Sequence, residues 1–142
     1  MRTSNILSGL LALSILAASC ARKTDIITPD PKPVGGKGGL TTLLIIPEHH
    51  EIKIDSCTIY IKYDATAMPF NGIYDDSMSV TPQNGRSEAK FAGLSKGNYY
   101  IYGVGYDPNI AEPVTGGTSF TVIDTLANTY EIYIAVTEIG GH

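Results

Sequence analysis

The chain has 142 residues, 43% of them hydrophobic and 17% charged, with a net charge of −4 and a pI near 5.2. That is material for one folded domain: too short for a TIM barrel, a two-lobed dinucleotide fold or most multidomain enzymes, and too apolar for a disordered polyelectrolyte. The acidic balance lacks the basic face that nucleic-acid binders carry, so no nucleic-acid partner is expected.

Residues 1–20 have the layout of a secretory signal. Arg2 and the amino terminus are positive, Ile6 to Ala18 is apolar apart from Ser8, Gly9 and Ser14, and Ala17-Ala18-Ser19 precedes Cys20. The apolar run falls short of the ~20 residues of a comfortable membrane span. The segment resembles a bacterial lipobox, with Leu16 four places before the cysteine where the usual pattern has three. The resemblance implies that residues 1–19 are removed, that Cys20 is acylated, and that the chain is held to a membrane by several acyl chains, one alone being marginal. Ala21 stands where Asp marks inner-membrane retention in enteric lipoproteins, which implies the outer membrane. Arg22 and Lys23 follow, unlike the acidic export tag of some Bacteroidetes lipoproteins, and either face of that membrane is left open.

Residues 20–39 read as the lipidated cysteine and a tether. Pro29, Pro31 and Pro33 alternate, and Gly35, Gly36, Gly38 and Gly39 follow, a composition that cannot bury a core. Fully extended, residues 21–39 reach at most ~60 Å; as a flexible coil they span ~25 Å. They carry four basic and two acidic residues, whereas residues 40–142 carry five basic and twelve acidic, a net of −7.

From Leu40 onward the pattern is β. Leu40–Ile46 is an apolar strand closed by Pro47. Cys57–Tyr63 alternates, with Cys57, Ile59, Ile61 and Tyr63 on one face and Thr58, Tyr60 and Lys62 on the other. Ser77–Val80 is a short strand before the turn Pro82-Gln83-Asn84-Gly85; Ser87–Phe91 sets Ala89 and Phe91 against Glu88 and Lys90. Asn98–Tyr106 is long and tyrosine-rich, Phe120–Ile123 is short, and Thr129–Thr137 places Tyr130, Ile132, Ile134 and Val136 on one face. Seven strands separated by Gly, Pro, Asn and Asp turns predict an all-β domain over residues 40–139, a seven-stranded antiparallel β-sandwich, followed by a tail at 140–142.

Within it, Phe91-x-x-Leu94-x-x-Gly97-x-Tyr99-x-Ile101, ending in Gly105-Tyr106, resembles the prealbumin-like sandwiches, which include the carboxypeptidase regulatory-like domain and the Cna B-type repeat. The resemblance implies that Leu94 plugs the core, Gly97 turns the chain and Tyr99 begins a core strand, in an immunoglobulin- or prealbumin-like fold. Tyr99 or Tyr100 can bond backbone at a corner. Family members are mostly accessory, spacer or adhesive modules. Some form an internal Lys-Asn isopeptide bond beside a Glu; Lys53 or Lys62, Asn128 and Glu131 are nominal counterparts, but their spacing does not match and no bond is expected. The whole chain also resembles the small lipoproteins common in Bacteroidetes.

The chemistry-bearing residues point away from catalysis. His49 and His50 are adjacent, so in a strand they face opposite ways, no third ligand is near, and His49-His50-Glu51 reads as a surface loop. Cys57, on an apolar face with no His nearby, reads as a buried inert thiol. Asp64, Asp75, Asp76 and Asp107 fall at strand ends and form no calcium loop, so they read as solvated turn residues. No Gly-x-Ser-x-Gly, P-loop or His-Glu-x-x-His pattern occurs. No catalytic residue, metal or cofactor is expected.

The remaining candidates are Tyr100, Tyr102 and Tyr106, which face outward if Tyr99 and Ile101 face the core, and Tyr60, which can share their face. Outward tyrosines serve either as contact area for a protein or glycan or as cross-strand packing. The expected function is a non-enzymatic cell-envelope lipoprotein, membrane-bound through Cys20, that acts as a tethered binding or structural accessory module. The alternatives are a surface adhesin or fimbrial-type subunit, and a small-ligand or metal-binding protein or enzyme using loop carboxylates.

Overall fold

The computed structural model describes residues 34–140. The signal segment, Cys20, residues 21–33 and the tail residues 141–142 lie outside the described residues. Within them the fold is all-β, with no helix and ten strands. These are β1 (Lys37–His49), β2 (Ile52–Lys53), β3 (Cys57–Tyr63), β4 (Asp76–Ser79), β5 (Thr81–Gln83), β6 (Arg86–Leu94), β7 (Gly97–Asp107), β8 (Glu112–Val122), β9 (Asn128–Ala135) and β10 (Thr137–Glu138).

They form two five-stranded sheets that face each other as a sandwich. In the first, β1 is central, with β9 on one side and β6 then β5 on the other; β2 continues the β6 side past the point where β6 ends. The second runs β10-β8-β7-β3-β4, antiparallel throughout. One pairing departs from the antiparallel expectation: β9 runs parallel to β1 from Thr41↔Asn128 to Glu48↔Ala135. The chain crosses from the second sheet to the first between β8 and β9, so its last long strand enters at the same end as its first.

Alternation fills the core as the sequence implies. Leu43, Ile45, Ile59, Ile61, Ala89, Phe91, Leu94, Tyr99, Ile101, Ile132, Ile134 and Val136 are buried in one cluster between the sheets. Burying each large aliphatic side chain contributes about 1.5–3 kcal/mol.

The strand count exceeds the expected seven because three short pieces, β2, β5 and β10, escape a hydrophobic pattern. Thr81-Pro82-Gln83 is strand rather than turn; it pairs with β6, and only Asn84 and Gly85, both at positive φ, make the hairpin loop. β8 starts at Glu112 rather than Phe120, and Thr137-Glu138 forms a separate strand on the second sheet.

Pro47 does not close β1. It sits between the last β6 pair (Ile45↔Ala89) and the first β2 pair (Glu48↔Lys53), a gap in the ladder where its missing N–H costs nothing. Its carbonyl accepts the Ile54 N–H at 3.0 Å. At the other extremity β1 starts at Lys37, inside the segment read as tether.

Candidate functional site

The resemblance motif lies at the end of the sandwich where the chain enters. Phe91, Leu94 and Tyr99 are fully buried, and Leu94 closes this end. The Tyr99 hydroxyl donates to the Ser95 carbonyl at 2.5 Å and accepts the Gly36 N–H at 2.9 Å. The Ser95 N–H in turn donates to the Gly36 carbonyl at 2.8 Å. Tyr99, not Tyr100, is thus the corner tyrosine, and it fixes the entering chain to the β6–β7 turn. Gly97 has φ +151°, and a side chain there would overlap the Gly35 backbone. The glycines at 35 and 36 are therefore packing residues rather than loose linker.

On the outer face of the second sheet, Tyr60 of β3 and Tyr102 of β7 are register partners. Tyr100 lies two residues before Tyr102, opposite Lys62. All three are half-buried. A fourth ring, Tyr74, completes the group: it is parallel to Tyr102 (centroids 5.9 Å apart, 6° between planes) and tilted against Tyr60 at 5.5 Å.

Two local features build this cluster. The Asp75 N–H donates to the Ile61 carbonyl at 2.9 Å, which lays the end of the β3–β4 connection against the sheet and carries Tyr74 over it. Gly117 of β8 leaves room beside it; a side chain there would come within 2.6 Å of the Tyr100 hydroxyl oxygen. Burial raises the Tyr74 and Tyr100 hydroxyls above the ordinary tyrosine range, with Tyr102 adding to both. They stay protonated and able to donate.

Beside the rings is a hollow of about 370 Å³ lined by Tyr60, Gly72, Tyr74, Asp75, Asp76 and Ser77. Asp75 accepts from Lys62 Nζ at 3.0 Å and from the Tyr63 N–H at 2.6 Å. Desolvation works against the charged form of Asp75, but these bonds outweigh it and hold its carboxyl below the usual range. Asp76 pairs with Lys37 Nζ at 3.0 Å. The hollow thus combines flat apolar surface with oriented, charged acceptors. Tyr106 stands apart near the far end of β7, exposed and paired in register with Pro113. It is not part of the cluster.

Sequence reasoning found Tyr60, Tyr100 and Tyr102 by alternation. It missed Tyr74, which sits in a connection without periodicity. Parity with the following strand would have misled: the register Ile61↔Asp76 gives Tyr74 the inner face, and the Asp75 N–H bonded to the Ile61 carbonyl shifts that register by one residue and turns Tyr74 outward.

The far end of the sandwich corrects two sequence readings. His49 is not a surface-loop residue; it ends β1 facing inward and is 2% exposed. Asp107 is not solvated but equally buried. His49 Nδ1 lies 2.7 Å from Asp107 Oδ2, and Nε2 lies 3.4 Å from Glu138 Oε1. His50 and Glu51 take positive φ (49° and 66°) in the two-residue β1–β2 turn. This leaves the strand geometry that would separate the two histidines, and the His50 ring stacks on His49 at 4.1 Å.

The hydrogen bond to Asp107 raises the His49 pKa above 6.5, with the Glu138 charge adding, against desolvation, which lowers it. The His49 bond and the Asn109 N–H hold Asp107 below the usual carboxylate range. His49 thus sits between two carboxylates, which favour its charged form. Its second nitrogen faces Glu138, not a hydroxyl or thiol, so the pair is not arranged as the base of a nucleophile.

The other candidates are accounted for by their contacts. Cys57 is buried, and burial pushes its thiol up to about 11, so it is un-ionised at neutral pH. Asp64 is an exposed turn residue at φ +50°. Lys62 pairs with Asp75, Glu131 with Arg86 and Asn128 with Asp124, so these three nominal isopeptide residues are engaged elsewhere, and Lys53 is exposed on β2. Among the described residues, no group of three or more His, Cys, Asp or Glu is placed to hold a metal. Compared with known proteins, the chain matches no family model, no curated protein and no solved structure.

Proposed function

We propose that this protein is a non-catalytic module of the cell envelope, lipid-anchored through Cys20 and built on a prealbumin-like sandwich, and that it binds an uncharged glycan on its tyrosine face. The Ala-Ala-Ser-Cys edge at residues 17–20 supports the anchor, and Ala21 after it supports the outer membrane. Phe91 in the core, Leu94 as plug and Tyr99 as corner support the prealbumin-like type, with Gly97 not in the turn itself but at the start of β7, packed on Gly35 just after the Ser95-Lys96 turn.

The observation that carries the binding reading is the Tyr60–Tyr74–Tyr102 cluster beside the hollow that holds Asp75. A sugar ring has an apolar C–H face and a rim of hydroxyls. Rigid aromatic rings match the first, and a fixed carboxylate accepts from the second with a charge-assisted bond. The net charge of −7 on residues 40–142 disfavours an anionic polysaccharide.

The test is calorimetric titration of the protein with a panel of neutral oligosaccharides. One or more should bind, and Tyr74→Ala and Tyr102→Ala should each weaken binding at least about tenfold, the loss of a buried aromatic contact. Unchanged affinity in both variants, or no binding across the panel, would contradict the reading. Intact mass of membrane-extracted protein checks the anchor separately: a mass without acyl chains at Cys20 would remove it.

A further inference from the structure

The described chain begins at the end of the sandwich closed by Leu94 and Tyr99, and that end carries exposed apolar side chains. Val34 at the entry, Leu40 beside it, and Ile123 and Leu126 in the β8–β9 connection are 63–76% exposed. The register places them together. Residues 38–40 bulge out of β1 where both Lys37 and Thr41 align with Leu94; Val122 pairs with Gly97; and Asn128, just after Leu126, pairs with Thr41. A largely apolar groove of about 280 Å³ runs between Leu40, the Ser95-Lys96 turn and Thr125.

The β3–β4 connection also leaves from this end, at Asp64, and has no charged residue between Asp64 and Asp75. It holds Phe70, 108% exposed, in a turn closed by the Gly72 N–H donating to the Pro69 carbonyl at 3.0 Å. Charge here is nearly balanced: Lys37 pairs with Asp76 and Lys62 with Asp75, and exposed Lys96 stands against Asp64 and against Asp124 at the edge of the groove.

We propose that this end is a lipid-contacting face, with Leu40, Ile123 and Leu126 seated in the interfacial layer of the membrane. The inference rests on the anchor at Cys20. Thirteen residues lie between Cys20 and Val34, a reach of at most ~45 Å, so an anchored chain presents this end to the bilayer at high effective concentration. Contact that would be too weak from solution then persists, as apolar side chains at the headgroup boundary add to a lipid anchor. The acidic far end turns away from the anionic headgroups. A membrane rather than a protein is favoured because the exposed residues come from separate loops around the point where the anchored segment joins the sandwich.

The chain contains no tryptophan, so a single introduced indole reports without background. Protein extracted from membranes is reconstituted in phosphatidylcholine vesicles containing brominated acyl chains, as Leu126→Trp and, at the far end, Ile52→Trp. The Leu126→Trp indole should be quenched at least about threefold more strongly than the Ile52→Trp indole, interfacial burial being confined to one face. Equal quenching of the two, or none, would overturn the proposal, as would an indole at 126 that is shielded only by addition of an envelope protein fraction. Intact mass of the same preparation keeps the two readings apart. Acylated Cys20 with an unquenched 126 indole removes the lipid face and leaves the anchor. Unacylated Cys20 removes the anchor and, with it, the high effective concentration at the bilayer on which the lipid face depends, so both readings fall together.

Discussion

The two ends of the sandwich are closed by different physics. At the entry end the closing contacts are apolar packing and neutral hydrogen bonds: Leu94 as plug, Gly97 against Gly35, and the Tyr99 hydroxyl between Ser95 and Gly36. At the far end the interior holds an imidazole between the carboxylates of Asp107 and Glu138. That end also gathers Glu48, Glu51, Asp55 and Glu112 against Lys53 and Arg86. Neutral contacts do not titrate, whereas a clamp of three ionisable groups does. The two ends therefore differ in whether ionisable groups make the closing contacts themselves, and substitutions in those contacts should separate along that line.

The largest expected effect is Gly97→Ala. The residue combines φ +151° with a close approach to Gly35, so the methyl group must displace the entering chain. A loss of about 3 kcal/mol is expected by thermal or denaturant unfolding, independent of pH. A loss below about 1 kcal/mol would mean that the entry segment is not docked as described.

Next comes the clamp. His49 has its pKa raised above 6.5, so its contribution is full below that value and lost as pH rises through the raised one. Asp107 has its pKa lowered below 3.8, so its contribution is present above that value and lost as pH falls through the lowered one. Stability should therefore fall as pH rises from about 6.5 through the raised value, and His49→Gln should flatten that slope while lowering Tm by several degrees at the acidic side of that range. An unchanged slope would show that the clamp is not charged. Tyr99→Phe is the matching entry-end change: about 1–2 kcal/mol for the partly buried groups left without a partner, with no dependence on pH across that range.

The smallest effect should be Lys62→Ala. The pair with Asp75 is partly exposed, so stability changes by about 0.5 kcal/mol or less. Glycan affinity should fall nonetheless, because Lys62 orients the Asp75 carboxylate at the hollow.

Strands with period-two patterning over a dry face, such as Cys57–Tyr63 and the run Tyr130 to Val136, were legible because burial alone decides those letters. What escaped was determined by partners distant in sequence. β8 through Gly116-Gly117 looks like a loop, yet those glycines are where Ala135 and the Tyr100 ring approach. Pro47 looks like a stop until the ladder gap opposite it is known. The parallel β1–β9 pairing leaves no local trace, because pleating alternates identically in either direction. For the candidate site, three tyrosines followed from alternation, while Tyr74 and the His49 clamp depend on how a connection and a turn fold back onto the sheets.

The binding face lies on the flank between the two ends, and hydrogen exchange with and without a bound neutral oligosaccharide tests that placement most directly. Slowed exchange in residues 58–62, 72–77 and 100–103, with the connection at 123–127 and the turn at 50–51 unchanged, is the predicted result. Protection concentrated at either end of the sandwich, with the tyrosine strands unchanged, would contradict it.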